Sequence, residues 1–311
     1  MTNKFCIFKL QFKIIKINSI IVLLIIEILI NNYLLKLNSQ LIKVCLCTLG
    51  KKENKYVEEY VEHYKNYGVD KIFIYDNNDI NGEHFESVLS NYISNKFVEI
   101  INFRGIRQPQ MTILNNCYRN YYRIYDWLIL FDIDEYINLK FFRNIINYLK
   151  NSRFKNCQVI YFFRAFHSDN NKIYYENKSL FKRFPKTVYN IFTVKPILRG
   201  HIPNLIIKNP HYINEQIESC YGFGQKKTKK FDFKYYFIDH FYFKSTEAFM
   251  EKVIERGDCH YNNSFSRQKS IILYYFKSNK ITLEKIDYIE KKSGINLSKI
   301  RHKIINNKNY I

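Results

Sequence analysis

Trp127-Leu128-Ile129-Leu130-Phe131-Asp132-Ile133-Asp134-Glu135-Tyr136 is the stretch on which the reading of this chain turns. Its first five residues are apolar, and a short apolar run of this kind reads as a buried strand. The run passes directly into three carboxylates. In open α/β sheets, ligands bind in the crevice beyond the carboxyl ends of the strands. Side chains two apart in an extended segment lie on the same side, so Asp132 and Asp134 are expected to face one cation. A hard divalent ion, Mn2+ or Mg2+, suits carboxylate oxygen and bridges to phosphate oxygens. Glu135 adds a third carboxylate, pointing elsewhere or hydrogen-bonding behind the pair. The competing reading is plain: an Asp-x-Asp tripeptide is common and can simply end a strand.

Outward from this stretch the pattern is α/β. Residues 42–49 read as a buried first strand. Tyr56, Val57, Tyr60, Val61 and Tyr64 recur at helical spacing, and Gly68 closes that helix. Residues 71–76 form a second strand that stops in the polar turn Asp76-Asn77-Asn78-Asp79. A helix over 85–92, a strand over 97–103 and a helix over 110–125 lead to the central strand at 126–131. A helix at 141–149 and a strand at 159–163 follow. Alternating strands and helices predict a single domain with a mostly parallel central sheet flanked by helices. The second half is less regular. It carries an aromatic run at 235–238, a helix capped by Ser245 and stopped by Gly257, and helices at 266–276 and 282–292. The lysine-rich stretch 225–230 reads as a solvated loop. The expected organisation is an N-terminal apolar segment over 1–40, an α/β domain over 41–260 and a C-terminal helical extension over 261–311.

The 311 residues are 47% apolar and 17% aromatic, enough for a sizeable core. The formal charge of +21 raises nucleic-acid binding. That class is set aside because the excess is mostly Lys, is spread along the chain, and accompanies a bias to Asn, Ile, Lys and Tyr of the kind AT-rich coding DNA produces. No nucleic-acid motif supports it either. An anionic phosphate ligand or a membrane surface accounts for the charge as well. Seven cysteines are present, an odd number with no zinc-type spacing, and buried free thiols are the expected state for most of them. Lys4, Lys9, Lys13 and Lys16 precede an apolar run over residues 20–30 that contains Glu27. A full span needs about 20 apolar residues, and a charge at the bilayer centre costs about 3 kcal/mol. Membrane association is expected, through a single-pass N-terminal anchor or a surface helix, against a peripheral helix packed on the domain.

Five stretches taken in order resemble one known family. The first runs from Leu49 to Gly68, with Glu53, Glu59 and His63 at the spacing of an opening N-E…E-W…H…G-V pattern, although Lys52 replaces the usual Asn and Tyr60 the usual Trp. The second is the strand ending in Asp76-Asn77. The third holds Gln110 and Asn115. The fourth is Trp127 to Ile137, close to W…D-x-D-E-[FY]. The fifth pairs Lys195 to His211 with Asp239 to Gly257, similar to K…R…H and then H-[YF]-x-x-K-S…F…K…R-G. Over residues 42–258 the chain thus resembles the DUF23-type glycosyltransferases, that is family 92 and the related family 2 branch, with a GT-A fold.

The resemblance implies a hexosyltransferase that moves a sugar, with inversion, from a nucleotide-sugar donor (a UDP-sugar favoured) to a glycan, glycoconjugate or other hydroxyl acceptor. It implies that Asp132 and Asp134 hold Mn2+ or Mg2+ on the donor's diphosphate. A bound cation there stabilises the charge that develops on the departing diphosphate. It further implies nucleotide contacts from Asp76, Glu53 and Gln110, and a later metal or diphosphate contact from His211 or His240. Each has a structural alternative: Asp76 as a turn cap, Glu53 at a solvated helix start, both histidines as core residues. Lys244 and Arg199 are candidate diphosphate contacts. Asp169, in a polar loop past a buried strand, is a candidate general base. Two other classes remain open at this point: a metal-dependent nucleotidyl or phosphoryl transferase, and a degenerate binding protein on the same fold. The lack of a glycine-rich phosphate loop disfavours kinases and ATPases.

Overall fold

The computed structural model describes residues 42–107, 109–213, 216–222, 224–225, 235–256 and 265–306. The N-terminal apolar segment and most of the lysine-rich loop fall outside these residues.

The first half alternates strand and helix as expected: β1 (Val44–Gly50), α1 (Asn54–Asn66), β2 (Lys71–Asp76), α2 (Glu86–Ser94), β3 (Val98–Asn102), α3 (Gln110–Tyr121) and β4 (Trp127–Leu130). β1 pairs in parallel with β2 and with β4, and β2 with β3. Their carboxyl ends therefore share one edge. α1 buries the face made by Tyr56, Val57, Tyr60, Val61 and Tyr64. Gly68 follows it with φ +79°, a conformation that favours glycine.

The second half corrects the expectation of a mostly parallel sheet. After β4 come β5 (Glu135–Leu139), α4 (Ile145–Leu149), β6 (Val159–His167), α5 (Leu180–Arg183), β7 (Thr187–Arg199), β8 (Ser219–Tyr221) and β9 (Tyr236–His240). The nine strands form one mixed sheet in the order β3-β2-β1-β4-β7-β6-β9-β5, with β8 added to β6. β7 runs antiparallel to both β4 and β6, and β5 antiparallel to β9. The reason is connectivity: β7 returns from β6 without the long crossover helix that a parallel neighbour needs. The sequence also disguised β7, because Pro196 argues against a central strand. Pro196 lies just past the β4 ladder, whose last partners are Ile129 and Ile197. β4 and β7 part there, immediately before Asp132.

Helices α6 (Thr246–Met250), α7 (Phe265–Ser278), α8 (Leu283–Ser293) and α9 (Ser298–Asn306) complete the described chain, with a π-helical turn at Glu251–Arg256 between α6 and α7. Ser245 caps α6 by accepting from the Ala248 amide. The C-terminal helices share one apolar cluster with the sheet side of the molecule: Phe166, Phe243, Phe249 and Val253 pack with Ile272, Tyr275, Ile286 and Ile289.

Two further expectations are corrected. Four of the five described cysteines are paired, Cys47 with Cys117 and Cys157 with Cys220, at Cα–Cα distances of 6.4 and 5.9 Å. The first pair ties β1 to α3, the second ties the segment just before β6 to β8, while Cys45 stays free and buried. Spacing could not reveal these bonds, since each joins residues at least 63 positions apart. Among the described residues no helix is long and apolar enough to cross a membrane, so the expected membrane anchor is not supported.

Candidate active site

Three carboxylates leave β4 within four residues, and the backbone decides where each goes. Asp132 and Asp134 lie in a tight turn, closed by the Glu135 amide donating to the Asp132 carbonyl at 2.9 Å, and not in an extended segment. The turn, rather than strand alternation, sets their directions. Glu135 opens β5 and is fully buried, and its carboxylate accepts from the Asp132 amide at 3.0 Å.

Basic side chains from the second half of the sheet and from the turn after α6 meet these carboxylates. Lys195, beside Pro196 where β7 parts from β4, places Nζ 2.6 Å from Asp132 Oδ2 and 3.1 Å from Glu135 Oε2. Arg164 stands at the register shift in β6 and donates to Glu135 Oε1 at 3.2 Å. Such irregularities re-aim side chains beside functional sites. His240 ends β9 directly opposite Glu135, and its Nε2 lies 3.4 Å from Asp134 Oδ1. Its Nδ1 is buried with no partner among the described residues. Lys252, on the π-helical turn, donates to Asp134 Oδ2 at 2.8 Å.

Glu53 joins the same edge, buried between the Lys244 ammonium at 2.7 Å and the Arg256 guanidinium. Lys52 and Lys244 both adopt left-handed backbone, at φ 56° and 49°. For lysine that is strained geometry, of a kind that gathers at functional sites.

The electrostatics follow from burial opposed by charge. Burial works to raise the Asp134 carboxyl, but the Lys252 ammonium and His240 outweigh it and hold the group well below the usual range. The same contest, with Lys195 as the cation, leaves Asp132 lowered. For Glu135 burial wins and pushes the carboxyl up to about 6, against Lys195. Burial drives His240 down to about 4, so its ring is neutral at neutral pH. Lys244 is lowered by burial, with Glu53 opposing. Two ionised carboxylates and a neutral imidazole make a donor set suited to Mn2+ or Mg2+. Asp132, with a side chain 34% exposed, gives the set its opening to solvent.

The remaining expected residues divide. Asp76 ends β2 on the same edge, opposite Gly50. It is 2% exposed, receives the Arg104 guanidinium and accepts from the Asn78 amide at 2.9 Å. With His84 and Glu86 it forms a trio whose ligand atoms lie within 4.8 Å, but its two partners are exposed and Arg104 already holds Asp76. Gln110 opens α3, half-buried, and takes no part in the hydrogen bonds that build the cluster. His211 binds the Val194 carbonyl through Nδ1 at 3.0 Å and lies on the Lys195 side of the cluster. Burial, then Lys195 and Arg164, push it down to about 4. His240, not His211, is the histidine that meets Asp134.

Asp169, the candidate base, is 1% exposed, ion-paired with Lys285 at 2.5 Å and hydrogen-bonded by Tyr275. Both partners lie on the C-terminal helices, so its carboxylate is engaged in packing those helices. Arg199 is structural as well: it stacks 4.4 Å over Trp127 and donates to the Cys157 and Phe154 carbonyls.

Sequence reasoning missed Arg164 altogether, and quoted Lys195, Lys252 and Arg256 only as parts of the family pattern. For Lys252 a signal existed. Glu251 and Glu255 face Lys55 and Lys52, while Lys252 and Arg256 face Asp134 and Glu53. Charges of each sign recur four apart.

The family model for glycosyltransferase family 92 matches residues 41–255. A family 92 protein of Ricinus communis is 26% identical over 109 residues, which is 35% of this chain and 19% of that protein. The chain thus spans about a fifth of the length of that relative. Among solved structures, S. aureus TarS residues 1–349 in complex with UDP is 12% identical, with 78% of this chain and 77% of that chain covered and a TM-score of 0.36. The mannosyltransferase PcManGT of Pyrobaculum calidifontis, in complex with GDP-Man and Mn2+, is 10% identical over 38% of this chain and 34% of that one, with a TM-score of 0.29. Structural likenesses at that level carry no functional argument.

Proposed function

This chain belongs to glycosyltransferase family 92, and from that premise we propose that it transfers a sugar from a UDP-sugar to a hydroxyl of a glycan or glycoconjugate. The observation that carries the reading is the meeting of Asp132, Asp134 and His240 with Lys195 and Lys252 at the carboxyl edge of the sheet. Asp132, Asp134 and His240 would hold Mn2+ or Mg2+. When bound, the ion neutralises the charge gathering on the departing nucleoside diphosphate. Glu135, Lys195 and Arg164 sit behind the pair and fix its orientation, as outer partners do for metal ligands. Asp76 and Glu53, on the same edge, contact the nucleoside half of the donor. The acceptor oxygen forms its bond to the anomeric carbon as the diphosphate oxygen leaves with the bonding pair and the hydroxyl proton passes to a carboxylate acting as general base. In-line attack inverts that carbon. Asp169 has no part in this chemistry.

The experiment is a panel of UDP- and GDP-sugars incubated with the purified protein and Mn2+, scored for nucleoside diphosphate release with and without chelator. Release from a UDP-sugar that chelator abolishes is expected. Turnover of nucleoside triphosphates instead would move the chain to the nucleotidyl or phosphoryl transferases.

A further inference from the structure

Asp134 is almost closed to solvent, and the Lys252 ammonium sits on it. Nζ lies 2.8 Å from Oδ2 and 3.9 Å above the centre of the Tyr242 ring, in a side chain 11% exposed. Tyr242 and Asp134 thus form a cradle that fits a cation with one positive charge. Lys252 rides on the π-helical turn Glu251–Arg256. Such turns are rare and recur at functional sites. The outer side of this turn is pinned by Lys52 on Glu255 at 2.6 Å and, more loosely, by Lys55 on Glu251 at 4.0 Å. The inner side carries Lys252 and Arg256 onto Asp134 and Glu53.

A divalent ion on Asp134 and an ammonium 2.8 Å from its Oδ2 repel each other, and strongly where water is scarce. We infer that Lys252 is an exchangeable stand-in for the metal: it neutralises Asp134 in the free protein and moves to the donor's diphosphate oxygens when metal and donor arrive together. The inference rests on the proposed donor site and deepens it. It gives one residue two partners, Asp134 before binding and the diphosphate after. Metal alone must displace the ammonium without bringing an anion to receive it. Metal with nucleoside diphosphate supplies both the competing cation and the new anionic partner. Lys252 therefore opposes binding of the bare ion and favours binding of the ion with the nucleotide.

The test is K252M, with K252R beside it, read by Mn2+ titration (electron paramagnetic resonance of the free ion) and by calorimetric titration of UDP in saturating Mn2+. K252M should bind Mn2+ alone about tenfold more tightly than the wild type and UDP with Mn2+ about tenfold more weakly. K252R, which keeps the charge, should stay near the wild type in the first measurement. A purely structural lysine would weaken both or neither. Unchanged or weaker Mn2+ binding by folded K252M, in a wild type that binds UDP with Mn2+, overturns the exchange and leaves the donor site standing. A wild type that binds no UDP with Mn2+ overturns both.

Discussion

Lys195 Nζ stands 2.6 Å from Asp132 Oδ2 and 3.1 Å from Glu135 Oε2, so one ammonium joins a carboxylate open to solvent and a carboxylate wholly buried. Lys195 is itself 1% exposed. Burial works to lower its own ammonium, but Asp132 and Glu135 leave it raised. The partners must therefore be charged together, and removing one strands the others.

K195M should accordingly lower unfolding stability by about 3–5 kcal/mol, the usual cost of breaking a buried ion pair from one side. Adding E135Q should recover part of that loss, because the carboxylate left without a partner is gone. Denaturant unfolding of the three variants checks this. Single-variant losses that simply add would show that Lys195 and Glu135 are not coupled.

Acid should unfold the protein from an unusually high pH. Burial lowers His63, His211 and His240 from the ordinary imidazole value of 6.5 to about 4 in the fold. Folded, these rings refuse protons that the unfolded chain accepts. Their contribution is complete above pH 6.5 and is lost as pH falls toward 4. Glu135 acts the other way: its carboxyl is raised to about 6, so its cost is present above 6 and relieved as pH falls toward 4.5. Three proton sites opposed by one give a net slope of about 2–3 kcal/mol per pH unit between roughly pH 6 and 4.5. Replacing His240 with Gln should flatten that slope by about half, measured as denaturation midpoint against pH. An unchanged slope would mean that His240 titrates normally.

D169N separates packing from catalysis. Asp169 binds Lys285 and Tyr275 on the C-terminal helices. The variant should lose about 3 kcal/mol of stability, since Lys285 is left buried and unpaired. Well below its melting temperature it should keep kcat within a few-fold of the wild type. A fall in kcat of a hundredfold or more at unchanged KM would return Asp169 to the chemistry as a base.

The first half of the fold was legible because its elements obey local rules. Helix α1 shows its buried tyrosines and valines at helical spacing, and β4 announces itself as an apolar run ending in carboxylates. The second half was not. β7 hides behind Pro196, whose place past the β4 ladder depends on the pairing of Ile197 with Ile129, 68 positions earlier in the chain. At the site, Asp132 and Asp134 stand out in the sequence, but a turn and not an extended strand directs them. Arg164 reaches the cluster through a register shift, an irregularity of backbone geometry that no periodicity encodes, and the charges recurring four apart over Glu251–Arg256 mark the turn of Lys252 without naming its partner. Asp169 looked like a base because a polar residue after a strand carries no mark of a lysine 116 positions later.

The central claim is that Asp134 and its turn partner Asp132 hold a divalent ion against the donor's diphosphate. The most direct measurement is calorimetric titration of UDP into wild type and D134N, each with and without Mn2+, alongside melting curves. Mn2+-dependent UDP binding by the wild type, lost by a factor of about 100 or more in a D134N protein that stays folded, is the expected result. UDP binding that ignores Mn2+, or that D134N retains in full, would contradict it.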